Sequence, residues 1–311
     1  MPEKSSSSTA PLNSAEILRE ARRLQFLVHP RALAELAGAY HGARPGTGLT
    51  FAELRPYEPG DDVRHIDWNV SARQQRPYVR HYTEERALTL WLAVDLSAGM
   101  KFGQVGKTKA DRACQAAALL AAAAIQNGDK VGLLLVGTQA KHEVRPGSGL
   151  RHLSRLMRSL VEADAGCPLP GPDLLQIPNR FRRRTHRGML ITISDFRAPL
   201  DHHAWRRLAA HHQCLALRIF DPLEVELPQV GLIRAIDPMS GKPFNIDTSS
   251  PRARALYRED AARRDTEFKQ FCRETRVFGW DLSTTDDPMH RLQLLFRESQ
   301  LGQATRSGAS L

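Results

Sequence analysis

The chain has 311 residues, 41% of them hydrophobic and 25% charged, and carries a formal net charge of +10. That composition supports an ordinary folded core, and no apolar run approaches the roughly 20 residues that would span a bilayer. Aromatic residues make up only 6%, too few for a stacking platform that would read single-stranded nucleic acid.

Residues 1–14 read as a disordered tail, with a run of serines and two prolines and no apolar stretch of a secretory signal, so a cytoplasmic location is the default expectation. From Ser14 to about Leu27, Ile17, Leu18, Ala21 and Leu24 recur at helical spacing, and Pro30 ends the pattern. A second short helix is expected over Arg31–Gly38. Residues 42–85 are punctuated by Pro45-Gly46, Pro56, Pro59-Gly60 and Arg76-Pro77, with extended candidates at Leu49–Tyr57 and Pro77–Tyr82. This predicts a small β-rich unit. Asp61, Asp62 and Asp67 alternate there with Arg55, Arg64 and Arg73, while Tyr57, Ile66 and Trp68 supply apolar anchors. A half-buried ion-pair network around Trp68 is the favoured reading, because buried charges must be paired. Metal-dependent hydrolysis at Asp61, Asp62 and Asp67 is the rival.

Leu88–Gly103 follows, and the rest of the chain is arranged around it. Leu90, Trp91, Leu92, Ala93 and Val94 form an apolar run, too short and too closely flanked by turn residues for a buried helix. It predicts a core strand covered on both faces. The run ends at Asp95-Leu96-Ser97-Ala98-Gly99, and the pattern repeats at Met189–Ile193, ending at Ser194-Asp195. Two strands delivering Asp and Ser to one rim would make an oxygen-rich cluster suited to Mg²⁺. Between them, Asp111–Asn127 is an almost wholly apolar helix and Asp129–Val136 a strand. Ala140–Val144 reads as a short hairpin arm. An amphipathic helix then carries Leu150, Leu153, Leu156, Met157, Leu160 and Val161 inward and Arg151, His152, Arg155 and Arg158 outward. A helix from Asp201 to about His212 and the strand Cys214–Phe220 follow, ended by Asp221-Pro222-Leu223-Glu224. Residues 230–247 form a hairpin, Ser250–Thr275 a long helix, Val277–Ser283 a strand and Pro288–Ser299 a last helix, before a loose tail. Alternating helices and strands imply a mainly parallel α/β sheet with right-handed crossovers.

Several chemistries lack their parts. Gly106-Lys107-Thr108 resembles the end of a phosphate-binding loop, but the leading glycine position holds Lys101. The pairs His202-His203 and His211-His212 are sequence neighbours, so their rings point apart on a helix and read as solvated surface. There is no Gly-x-Ser-x-Gly elbow, and Cys114, Cys167, Cys214 and Cys272 have neither disulfide nor zinc spacing. An enzyme reading therefore lacks a nucleophile. The positive charge is concentrated at residues 144–218, where thirteen Arg face five acidic residues. This is a solvated Arg-rich surface or a steering field for an acidic partner or polyanion.

The residues Phe51, Leu54, Arg55, Tyr57, Gly60-Asp61-Asp62, Arg64, Ile66-Asp67-Trp68 and Ser71-Ala72-Arg73, then Asp95-Leu96-Ser97, Ile193–Phe196 and Asp221–Glu224, resemble the domain-of-unknown-function 58 family over roughly residues 40–300. The resemblance implies a von Willebrand factor A-like, Rossmann-like sheet with helices on both faces. It also implies a place beside MoxR-type AAA+ ATPases, and an adhesion-type metal site that presents Mg²⁺ to a partner's carboxylate. Asp95, Ser97 and Asp195 match that site. Gly99 replaces its second Ser, and Pro172 stands where relatives offer Thr. With three groups left, the expectation is a degenerate site that holds Mg²⁺ weakly or not at all. In the second case Asp95 would cap the following turn and Asp195 would pair with an arginine.

The sequence thus predicts a disordered tail (1–14), N-terminal helices and a β-rich elaboration (15–86), a von Willebrand factor A-like domain (87–300) with a hairpin insertion at 222–250, and a loose tail (301–311). The function expected is a non-enzymatic interaction module, partner or adaptor of a MoxR-type ATPase in a chaperone-like or cofactor-insertion role, without membrane insertion. The rim is the first contact surface. Arg151, Arg155, Arg158, Arg182, Arg183 and Arg184 are the second, and the alternative there is nucleic-acid binding through residues 144–218.

Overall fold

The computed structural model describes residues 50–58, 66–83, 88–104, 107–137, 143–164, 174–181, 188–236 and 242–307. The expected tail and helices before residue 42, together with Asp61, Asp62, Arg64, Pro172 and Arg182–Arg184, lie outside the described residues.

Strand β1 (Thr50–Pro56) pairs antiparallel with β2 (Tyr78–Thr83), and between them stands a short helix, α1 (Trp68–Gln74). The two strands fall at the extended candidates Leu49–Tyr57 and Pro77–Tyr82, and the helix between them is an addition to the β-rich reading. Asp67 ends the extended chain and caps α1, its Oδ1 accepting from the amides of Asn69 (3.0 Å) and Val70 (3.2 Å). Ser71 ties the helix to β2: its hydroxyl donates to the Asp67 carbonyl (2.7 Å) and accepts from the Tyr78 amide (2.8 Å). Trp68 is 70% exposed, so it is no anchor for a half-buried ion-pair network.

A six-stranded sheet carries the rest. Its strands are β3 (Thr89–Asp95), β6 (Lys130–Val136), β7 (Glu143–Gly147), β8 (Met189–Ser194), β9 (Gln213–Phe220) and β12 (Phe278–Ser283), in the order β12-β9-β8-β3-β6-β7. All neighbours pair in parallel except the edge pair β6–β7. β4 (Gly103–Gln104) and β5 (Lys107–Thr108) are a two-residue clip before α2 (Lys109–Gln126). A second hairpin joins β10 (Leu232–Ile236) and β11 (Pro243–Asp247) at the expected place.

Both faces of the sheet are covered, which is why β3 is apolar from Leu90 to Val94. Leu90, Leu92 and Val94 face α2, α3 (Leu150–Asp164) and α7 (Pro288–Ser307). Trp91 and Ala93 face α4 (Gln176–Phe181), α5 (His202–His211) and α6 (Pro251–Thr275). The indole of Trp91 lies over Gly132 on β6, where a Cβ would stand 2.7 Å from the ring, and meets Phe181 edge-on at 5.3 Å. Helix α2 presents thirteen buried residues, mostly alanines, to the sheet and to α3 and α7. Small side chains there let three layers approach closely.

Some boundaries move. α2 begins two residues before the expected Asp111, under a capping box between Thr108 and Asp111. α7 continues to Ser307, through part of the segment read as a loose tail. His152 is half-buried on α3 and its Nε2 lies 2.7 Å from the Val131 carbonyl oxygen, instead of standing on the solvent face. Arg151, Arg155 and Arg158 are exposed there, as expected.

Candidate functional site

The chain leaves β3 toward β6 on one side and later returns to β8 on the other, so the winding reverses between β3 and β8. In open α/β sheets the crevice beyond the carboxyl ends of two such strands is the usual ligand position. Val94 pairs with Ile193, which places Asp95 across from Ser194 and beside Asp195. The topology therefore brings Asp95, Ser97 and Asp195 to one rim, as the spacing of the two strands predicts.

What the side chains do there differs from a metal shell. Asp95 is completely buried. Its Oδ1 accepts the Ser97 amide (2.9 Å) and its Oδ2 accepts the Ser194 hydroxyl (2.6 Å). Burial and the nearby Asp195 charge push its carboxyl up to about 6, against the lowering effect of those hydrogen bonds. Asp195 is different. Burial alone would raise it, but the Lys109 ammonium and then Arg197 hold it below the usual carboxylate range. Lys109 Nζ stands 2.7 Å from Asp195 Oδ2 and 2.8 Å from Glu224 Oε1. Arg197 reaches the same Glu224 oxygen at 3.1 Å and Asp195 Oδ2 at 3.9 Å.

Local structure explains each position. Asp221 caps a single 3₁₀ turn, Pro222–Glu224, accepting from the Leu223 amide (2.9 Å) and the Thr284 hydroxyl (2.6 Å), and this turn aims Glu224 into the rim. Phe196 takes a left-handed backbone (φ 54°), an uncommon conformation for a bulky residue. Its ring packs against Phe268 (5.1 Å) and Phe271 (6.2 Å). The bend lets the Phe196 amide reach Ser194 Oγ (3.1 Å) and the Arg197 amide reach Asp195 Oδ1 (3.2 Å). Gly137, at φ 73°, lies against Ser97, where a Cβ would come within 2.5 Å of the Ser97 amide nitrogen.

Lys109 and Glu224 escaped the sequence reading as site residues. Two signals are present: a lysine at the first position of a helix that is apolar from Ala116 to Ile125, and the capping-box spacing of Asp221 and Glu224. The arginine partner expected for Asp195 in a metal-free rim is displaced to 3.9 Å by the lysine.

These groups do not suit an octahedral Mg²⁺. The ion needs oxygens at about 2.1 Å, whereas the Asp195 oxygen turned into the rim already holds an ammonium and both Asp95 oxygens hold donors. No group of three or more His, Cys, Asp or Glu among the described residues could hold a metal ion. Among the described thiols, burial pushes Cys214 and Cys272 up to about 12, which leaves neither a ready nucleophile. His202 Nδ1 pairs with Glu274 on the exposed surface (2.6 Å), which agrees with a solvated histidine pair. Beside the rim, a cleft of about 1380 Å³ runs between the ends of β8, β9 and β12 and helix α6, lined by Arg197, Glu224, Arg258, Arg264 and Phe268 among others.

Known proteins place the chain in a family. The uncharacterized protein Rv1480 of Mycobacterium tuberculosis is 35% identical over 265 residues, 81% of this chain and 82% of that protein. The uncharacterized protein YeaD of Bacillus subtilis is 27% identical over 120 residues, 38% of this chain and 28% of that protein. Among solved structures, BatB from Bacteroides thetaiotaomicron superposes with a TM-score of 0.45 at 13% identity, over 68% of this chain and 98% of that one. The SpRpn10 VWA domain does so with a TM-score of 0.35 at 12% identity, over 67% and 94%. The α/β assignment itself rests on the strand order and two-sided burial described above. The family model described as "Protein of unknown function DUF58" matches residues 53–267, more than two thirds of the sequence, and the chain belongs to the DUF58 family.

Proposed function

We propose that this chain is a non-enzymatic protein-interaction module that works in the cytoplasm as partner or adaptor of a MoxR-type AAA+ ATPase, in a chaperone-like or cofactor-insertion role. The observation that carries the reading is the state of the rim. Its carboxylates are engaged by Lys109, Ser97, Ser194 and Arg197, so it is built as a fixed, largely buried polar cluster at the usual ligand position of the sheet, with Arg197 as its exposed member. No helix among the described residues is long and apolar enough to cross a membrane. Arg197, 37% exposed at its side chain, is a cation that the rim turns outward, the adjoining cleft adds Arg258 (57% exposed), and an acidic segment of the partner suits them.

The test is a binding titration of the purified chain against a MoxR-type ATPase from the same organism, with and without nucleotide. Reversing Arg197 to Glu should weaken binding several-fold and lower its salt dependence. Equal affinity in the variant, or no complex with any such ATPase, would refute the assignment. The exposed arginines of α3 support one second reading, nucleic-acid binding. That reading requires a steep fall in affinity with salt and its loss in an Arg151/Arg155/Arg158 triple Ala variant.

A further inference from the structure

The geometry points to Lys109 as the resident cation of the rim: its ammonium stands in for the divalent ion of an adhesion-type site. The inference does not depend on which partner docks there. It begins with an improbable placement. Lys109 is the first residue of an eighteen-residue helix, where the positive end of the macrodipole disfavours a cation, and its side chain is fully buried. Removing an ammonium from water costs several kcal/mol unless opposite charges meet it. Asp195 and Glu224 do so at 2.7 and 2.8 Å, from the ends of two different strands.

The second observation is where the missing hydroxyl would have been. Gly99 occupies the position of the second Ser in the adhesion-type motif. A Cβ built on it has Asp195 Oδ2 as its nearest neighbour, at 3.5 Å. A serine hydroxyl there would thus fall beside the same oxygen that Lys109 holds. The two departures from a metal shell converge on one atom: the oxygen ligand is absent, and a positive charge is supplied by the chain. An ion bound to Asp195 Oδ2 at about 2.1 Å would crowd an ammonium already 2.7 Å from that oxygen, with like charges face to face. The third observation concerns Asp95. Both its oxygens accept hydrogen bonds from Ser97 and Ser194, so its side chain is fixed without an ion.

A tethered ammonium differs from Mg²⁺ in what it can present. It carries one charge instead of two, cannot dissociate, and here has no exposed surface through which a partner's carboxylate could complete its shell. Recognition at this rim is therefore independent of divalent ions and insensitive to chelators, and the outward cation is Arg197.

The experiment compares three proteins: wild type, Gly99→Ser, and the double variant Gly99→Ser with Lys109→Ala. Each is stripped with EDTA and then titrated with Mn²⁺ by calorimetry, with thermal midpoints recorded in EDTA and in millimolar Mg²⁺. Wild type and Gly99→Ser should show no Mn²⁺ heat and no shift in midpoint. The double variant, with the hydroxyl restored and the ammonium removed, should bind Mn²⁺ at least about ten-fold more tightly than either, with a midpoint raised by Mg²⁺. Mn²⁺ binding by wild type that disappears in Asp195→Asn would overturn the inference. So would Mn²⁺ binding by Gly99→Ser with Lys109 in place, or a folded double variant that stays blind to the ion. If the double variant does not fold, wild type and Gly99→Ser still decide the matter.

Discussion

Replacing Lys109 by Met removes a charge while keeping the length and apolar bulk of the side chain. The perturbation leaves Asp195 and Glu224, each only 6% exposed at the side chain, facing a neutral group. Breaking a buried ion pair by deleting one partner typically destabilises by about 3–5 kcal/mol, because the remaining charge is stranded in a poor solvent. Two carboxylates are stranded here, but Arg197 remains 3.1 Å from Glu224 and can shield it, which places the expectation near the lower end of that range. For a domain of this size that corresponds to a fall in thermal midpoint of roughly 6 °C. Urea denaturation followed by circular dichroism at pH 7.5 measures it, with Glu224→Gln in the same background expected to restore part of the loss. The deficit should also shrink as pH falls, because the Lys109 ammonium is what holds the Asp195 carboxyl low and that contribution is lost on acidification. A loss below about 1 kcal/mol, the level of an exposed surface pair, would refute the argument that the ammonium holds this rim together.

Three further predictions follow from the same geometry. Gly132→Val forces a side chain into the Trp91 indole, 2.7 Å from where the Cβ would lie, and should cost about 1–3 kcal/mol or more; Trp91→Leu should recover part of it in a denaturation double-mutant cycle. Asp95 has a folded value of about 6, above the ordinary 3.8, so its neutral form is favoured in the fold; its contribution falls as pH rises from 3.8 through 6 and is level beyond. Asp95→Asn should therefore gain on wild type between pH 4 and pH 7, on the order of 2–3 kcal/mol, and parallel urea stability curves for the two proteins would contradict the assignment. Asp67→Ala removes the cap of α1 and should destabilise by about 1 kcal/mol, whereas Trp68→Ala, at an exposed position, should stay within about 0.5 kcal/mol in the same assay.

The von Willebrand-like character of the rim is what the family resemblance implies, while the oxygen-bearing rim itself is read from two apolar runs that each end in an acid. That much is legible in one dimension because a strand buried on both faces must be apolar throughout, and its first polar residue marks where the sheet stops. Asp95 and Ser194-Asp195 were found this way. The N-terminal unit was less legible. Asp67-Trp68 resembles an anchored ion pair in the sequence, but the carboxylate caps a helix and the ring faces outward. Period-two and turn signals alone could not separate a seven-residue helix from a strand between prolines.

Length, patterning and the order of elements thus determined the parallel sheet, its two helical layers and the rim on which its central strands end, since each follows from local burial and spacing. Tertiary structure alone decided what neutralises that rim. Lys109 lies 86 residues before Asp195 in the chain, and the two meet because β3 pairs with β8 and α2 packs across β3. Glu224 joins them because a capped turn after β9 points the same way. Coulomb attraction acts through space without regard to sequence separation, so a lysine at the head of an apolar helix gains its meaning only when the fold has set two carboxylates against it.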